Sequence, residues 1–141
     1  MTTPLLQVDG LTVSFSGRRG NVLAVRDVSL RLNAGEILGV VGESGAGKST
    51  IGAAVLGLVD SPGRVEAGSI RLNGDDLSGL SQEDWETIRG RRIGMIMQDP
   101  LTSLNPLYTI GKHLIETISI TRNLSASAAV SYTHLTLPTI A

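Results

Sequence analysis

The chain has 141 residues and a formal net charge of -1. That length can bury a real core in one domain, and the charge removes the broad basic field expected of a nucleic-acid binder. No cysteine is present, which excludes disulfides and thiolate metal sites and fits a reducing compartment. No apolar run approaches the roughly 20 residues of a membrane span. Met1–Gln7 lacks the basic start and long apolar stretch of a signal peptide, so the expected location is cytoplasmic.

In chain order, Leu6-Gln7-Val8 and Leu11–Phe15 alternate as strands do, with Val13 and Phe15 on one face. Ser16–Asn21 is a turn. Val22–Leu32 alternates again, predicting an antiparallel hairpin. Asn33-Ala34-Gly35 is the next turn, and Glu36–Val41 reads as a short buried strand. Gly42-Glu43-Ser44-Gly45-Ala46-Gly47-Lys48-Ser49 then fits the P-loop pattern G-x-x-x-x-G-K-[ST] at every fixed position. Ser49–Leu56 reads as the helix that leads out. Asp60–Arg64 is a loop, and Gly68–Leu72 is a strand ending at the tight-turn signal Asn73-Gly74. Ser81 followed by Glu83 and Asp84 predicts a helix start, with the helix running to about Arg89 and stopping at Gly90. Ile93–Met97 is a second continuous apolar run, as in a central parallel strand. Ile110, Leu114, Thr117 and Ile118 mark one side of a further helix. There is no internal repeat and no linker that would divide two domains.

The P-loop residue types follow from phosphate chemistry. Several negative charges sit in a small volume, and successive backbone N–H groups point at them only where the loop takes positive φ without intervening side chains. Gly42, Gly45 and Gly47 permit that, while Glu43, Ser44 and Ala46 lend backbone N–H groups. The helix beginning at Lys48, Ser49 and Thr50 offers unpaired N–H groups and the positive end of its dipole. Lys48 adds a full charge toward the β- and γ-phosphates, and the Ser49 hydroxyl is placed to ligate Mg²⁺. The expected ligand set is therefore a nucleoside triphosphate such as ATP with Mg²⁺. The 17 glycines and the scarcity of aromatics suit an α/β nucleotide-binding fold. A P-loop by itself is shared by kinases, GTPases and motors.

Three further features narrow the choice. The P-loop follows an antiparallel β region. The next central strand ends in Gln98, about fifty residues beyond Lys48. Met95-Ile96-Met97-Gln98-Asp99-Pro100-Leu101-Thr102-Ser103-Leu104-Asn105-Pro106 closely resembles the Q-loop segment of ABC-transporter ATPases, in the form used by the dipeptide/oligopeptide/nickel branch. Gly42-Glu43-Ser44-Gly45 and Leu23-Ala24-Val25-Arg26-Asp27-Val28-Ser29 resemble that branch too, and the resemblance runs from about Leu6 to Ala128.

The resemblance implies a P-loop NTPase core of ABC type, with an N-terminal antiparallel β region and a helical subdomain that breaks off after one helix. Lys48 and Ser49 match its phosphate and Mg²⁺ residues. Gln98 matches the glutamine that contacts Mg²⁺ or the attacking water and couples the site to the transmembrane subunit. Phe15 matches the aromatic that stacks on adenine. The parent protein would be the energy-coupling ATPase of an importer for peptides, nickel or a related solute. It would lie at the cytoplasmic face of the cell membrane, paired with a second ATPase subunit and docked on permease subunits, with an extracytoplasmic solute-binding protein as indirect partner. The alternatives are a soluble P-loop kinase or phosphotransferase, and a nucleotide-binding module without catalysis. Arg89, Arg91 and Arg92 read as a solvated helix end, Asp75-Asp76 as turn chemistry, His113 as structural or solvated, and Trp85 as packing.

The family's Leu-Ser-Gly-Gly-Gln signature, its apolar strand ending in Asp-Glu and its switch histidine are not found after Gln98. Asp76-Leu77-Ser78-Gly79-Leu80 and His134 lie in the wrong context. The string Val130–Thr139 resembles a translated transposase mosaic end joined to a sequencing adapter. The expected division is therefore a partial nucleotide-binding domain over 1–128 and a non-native tail over 129–141, with little or no turnover from the chain as written.

Overall fold

The structure is a computed structural model describing residues 3–18, 20–99 and 104–136. It comprises two compact units, Met1–Glu86 and Thr87–Ala141. The division falls inside a helix, so no linker marks it.

The first unit is built on a four-stranded sheet of order β2-β1-β3-β4. Its strands are β1 (Leu6–Gly17), β2 (Gly20–Leu32), β3 (Gly63–Leu72) and the two-residue β4 (Asp75–Asp76). All pairings are antiparallel, with Phe15 opposite Val22 on one side and Gly63 on the other. The expected hairpin and third strand are present, and β3 starts five residues earlier than its alternation indicates. Val8, Leu11 and Val13 of β1 are fully buried. Their numbering changes parity because β1 carries a bulge between Val8 and Leu11. Gly10 takes φ +60 there, and Gly68 lies so close that a Cβ on it would stand 2.7 Å from the Gly10 carbonyl oxygen.

Helix α1 (Lys48–Val55) follows the P-loop and buries Ala54 and Val55. Helix α2 (Gln82–Ile88) opens as its sequence predicts. Ser81 Oγ accepts from Asp84 N at 3.1 Å, and Asp84 Oδ2 accepts from Ser81 N at 3.3 Å, a reciprocal capping box. Trp85 is buried against Gly57. Asp76 Oδ1 accepts from Ser78 N at 2.8 Å, the turn chemistry expected of the Asp75-Asp76 pair. That backbone N–H, with the Ser78 hydroxyl, holds the Asp76 carboxyl below its ordinary value.

Two expected strands are corrected. Glu36–Val41 and Ile93–Met97 form no strand ladder; the second has only an isolated bridge from Ile93 to Arg89. Ile37, Val41 and Ile96 are 96%, 95% and 90% exposed. An apolar run becomes a buried central strand only when neighbours pair with its backbone and cover its faces. None of the described residues does so for either segment. The turn before the first segment does form, with Glu36 Oε2 accepting from Asn33 N at 2.8 Å.

The second unit contains α3 (Ile110–Arg122) and α4 (Ala126–Thr136). Thr109 caps α3 by accepting from Lys112 N, and Asn123 ends it at φ 54. Leu114 and Ile118 are half-buried, while Ile110 and Thr117 on the same expected side are exposed. Arg91 donates to the Ile120 carbonyl at 3.0 Å. The boundary expected near Ala129 falls within α4, where Ala129 is fully buried.

Candidate functional site

The P-loop is an exposed turn between the unladdered Glu36–Val41 run and α1. Ala46 N donates to the Glu43 carbonyl at 3.2 Å, closing the loop, and Gly45 and Gly47 take φ +83 and +86. Gly47 is the N-cap of α1 and supplies no side-chain cap. The first helical N–H groups have no intrahelical acceptor, so this end of α1 is built to receive an anion. Gly47 also rests on β2: a Cβ there would stand 2.3 Å from the Ala24 carbonyl oxygen. The Lys48 ammonium donates to the carbonyls of Gly42 and Glu43 at 2.8 and 2.6 Å, so the lysine lies along its own loop.

Phe15 comes to the same place from β1. Its ring lies against Gly63: a Cβ on Gly63 would stand 2.6 Å from Phe15 Cε1. A cavity of about 350 Å³ is lined by Phe15, Ser49, Thr50, Ala53, Leu58, Val59 and Asp60. The structure thus brings Phe15, Ser49 and Thr50 together around one space, although more than thirty residues separate them in sequence. Sequence reasoning missed Ala53, Leu58, Val59 and Asp60. It read Asp60–Arg64 only as a loop, and the available signal was the pairing of Gly63 with Phe15 that draws this loop to the ring. Gln98 lies in the second unit, exposed at the end of the Ile93–Met97 run. Pro100–Ser103 of its segment lie outside the described residues.

The donor set fits a nucleotide. An uncapped helix start, positive-φ glycines and a lysine suit phosphates, and an aromatic face beside small and apolar residues suits a base. Among the described residues no cluster of three or more histidine or acidic groups could hold a metal on its own, so a cation here would rest on hydroxyl and phosphate oxygens.

An antiparallel sheet, a P-loop with its helix and an aromatic-walled cavity are the parts of a P-loop nucleotide-binding fold. The ABC transporter family description matches residues 25–139, and the chain belongs to that family. It is 44% identical over 116 residues to the dipeptide transport ATP-binding protein DppD of Escherichia coli (strain K12), covering 82% of this chain and 36% of that protein. It is 42% identical over 125 residues to the oligopeptide transport ATP-binding protein OppD of Salmonella typhimurium, covering 89% of this chain and 37% of that one. The chain therefore spans little more than a third of the length of these relatives. Among solved structures, the dimeric post-hydrolysis state of the ATP-binding cassette MJ0796 bound to ADP and Pi superposes with a TM-score of 0.78 at 20% identity, over 92% of this chain and 54% of that one. That likeness shows the shared fold.

Proposed function

We propose that this chain is the nucleotide-binding part of the energy-coupling subunit of an ABC importer for peptides, nickel or a related solute. The observation that carries the proposal is the single cavity that gathers Phe15 with Ser49 and Thr50 at the start of α1. The names of the dipeptide and oligopeptide relatives support the substrate class.

In this reading the backbone N–H groups of Gly42 to Gly47 and of the first turn of α1 bind the phosphates of ATP. Lys48 leaves the Gly42 and Glu43 carbonyls to neutralise phosphate charge, and Phe15 stacks on the base. Ser49 contributes its hydroxyl to Mg²⁺, and family resemblance alone assigns Gln98 to the ion or the attacking water. The ion, when bound, supplies charge neutralisation at phosphate oxygens. A second ATPase subunit, permease subunits and, indirectly, a solute-binding protein complete the assembly, at the cytoplasmic face of the membrane. The dimeric form of the MJ0796 cassette supports the pairing. Phosphoryl transfer is catalysed mainly by positioned charges. A chain whose sequence holds no signature segment, Asp-Glu strand end or switch histidine has too few of them for appreciable turnover.

Calorimetric titration of the 141-residue chain with Mg-ATP tests this reading. Saturable binding, weakened at least about 10-fold by Lys48→Ala through loss of a charge-assisted contact, is the expected result. No binding, or binding indifferent to Lys48, would overturn it. ATP turnover abolished by Lys48→Ala would overturn the expected inactivity.

The same reading treats residues from about Ala129 as a non-native tail, on the strength of the Val130–Thr139 string. The family match as far as residue 139 weighs against it. Reading the source locus by a transposon-free method decides the point: a native sequence that diverges near codon 129 supports the tail, and an intact Val130–Ala141 overturns it.

A further inference from the structure

The cavity beside the P-loop has two chemically different ends. Ser49 and Thr50 lie in the first turn of α1, Ala53 one turn further on, and Leu58, Val59 and Asp60 beyond the last turn. A helix rises about 1.5 Å per residue, so Ser49 to Val55 spans about 9 Å. That is comparable to the reach of a nucleoside from its 5′ oxygen to the far edge of its base. A nucleotide with phosphates at the start of α1 and its ring on Phe15 brings the edge of its base toward Asp60.

Asp60 is fixed by the same residues that fix the aromatic ring. Its carbonyl accepts from Gly63 N at 2.8 Å, Gly63 pairs with Phe15, and Ser16 N donates to the Pro62 carbonyl at 3.0 Å. Among the described residues, the Asp60 carboxylate has no hydrogen-bond or ion-pair partner. The rest of the lining is apolar (Phe15, Ala53, Leu58, Val59) or hydroxylic (Ser49, Thr50), so Asp60 is the cavity's one charged group.

We propose that Asp60 reads the base of the bound nucleotide, its carboxylate accepting a hydrogen bond from the exocyclic 6-amino group of adenine while Phe15 stacks on the ring. The proposal rests on the nucleotide-binding reading above and adds a specificity to it. An ionised carboxylate only accepts. It is attracted to the 6-amino group and gains nothing at that position from unsubstituted purine, whereas guanine meets a carboxylate through its N1–H and 2-amino group instead. Stacking alone is indifferent to these differences, because every base has a π face.

The experiment titrates the 141-residue chain with ATP, with purine riboside triphosphate, which lacks only the 6-amino group, and with GTP. Wild type, Asp60→Ala, Asp60→Asn and Phe15→Ala are compared. Wild type is expected to bind ATP about 5- to 10-fold more tightly than purine riboside triphosphate, the effect of one charged hydrogen bond moderated by solvent, and no more weakly than GTP. Asp60→Ala brings that ratio to near one, whereas Asp60→Asn, whose amide oxygen still accepts, keeps part of it. Phe15→Ala weakens ATP and purine riboside triphosphate alike. A wild-type chain that binds all three equally, or GTP more tightly, overturns the proposal, as does an ATP preference that survives in Asp60→Ala. In each of these cases the nucleotide-binding reading stands. Absence of binding for every nucleotide defeats that reading and the base assignment together.

Discussion

Gly47 and Ala24 meet so closely that no side chain fits between them. A Cβ on Gly47 would stand 2.3 Å from the Ala24 carbonyl oxygen and 3.3 Å from Val25 Cγ2. The glycine therefore answers to β2 as well as to its place in the loop, and the start of α1 is set by the sheet beside it. Gly47→Ala adds a methyl group into a backbone carbonyl at φ +86, a conformation that L side chains avoid. It is expected to weaken nucleotide binding more than Gly45→Ala, whose Cβ would meet nothing within 4 Å. Titration of both variants with Mg-ATP, alongside thermal unfolding, checks the order; equal losses would show that contact with β2 does not matter.

The chain's only tryptophan reports on a second close approach. A Cβ on Gly57, at φ +62, would stand 2.3 Å from Trp85 Cε2. Gly57→Ala is expected to destabilise the first unit by about 1–3 kcal/mol through overpacking and backbone strain. Trp85 emission should shift to the red as the ring gains solvent. A denaturant series followed by tryptophan fluorescence measures both, and an unchanged midpoint would count against the packing described.

Acid should act on Glu66. Its carboxyl is held below its ordinary value, first by the hydrogen bond from Ser14 Oγ and then by Arg64, whose Nε lies 2.7 Å away. A carboxylate whose folded value is depressed contributes stability that is present above its unfolded value. That contribution is lost as pH falls through the folded one. Glu66→Gln is expected to remove that contribution at neutral pH, a small loss, so that stability falls less steeply with acid and the two chains converge at low pH. The effect is small and shrinks with salt, since the pair faces solvent. Melting curves at several pH values and two salt concentrations check it.

Glu36–Val41 and Ile93–Met97 present apolar side chains and an unladdered backbone. Such edges pair with other chains. The chain is expected to associate with rising concentration, and Ile37→Lys combined with Ile96→Lys to reduce that association several-fold. Light scattering across a dilution series measures it. Identical scattering from both chains would mean that other surfaces drive association.

Features that rest on neighbouring residues were legible in the sequence. The P-loop, the Ser81 helix start, the β1–β2 hairpin and the helix marked by Ile110, Leu114, Thr117 and Ile118 each depend on types spaced a few residues apart. The bulge at Gly10 was not legible, because it changes the parity on which strand reading depends. The two apolar runs were legible as apolar, but a ladder belongs to pairs of strands, and one strand cannot show whether its partner exists. Phe15 was found through family resemblance. Asp60 was missed because its place beside Phe15 follows from a register between residues nearly fifty apart.

The lysine of the P-loop already has partners. Lys48 Nζ is shared by the Gly42 and Glu43 carbonyls, so an arriving phosphate does not meet an idle charge. It takes part in an exchange, in which two neutral acceptors give up an ammonium and one anionic acceptor gains it. The free energy of capture is the difference between those two attachments, smaller than the bare charge attraction suggests. In the proposed reading, such a loop trades one set of acceptors for another rather than gaining a contact outright.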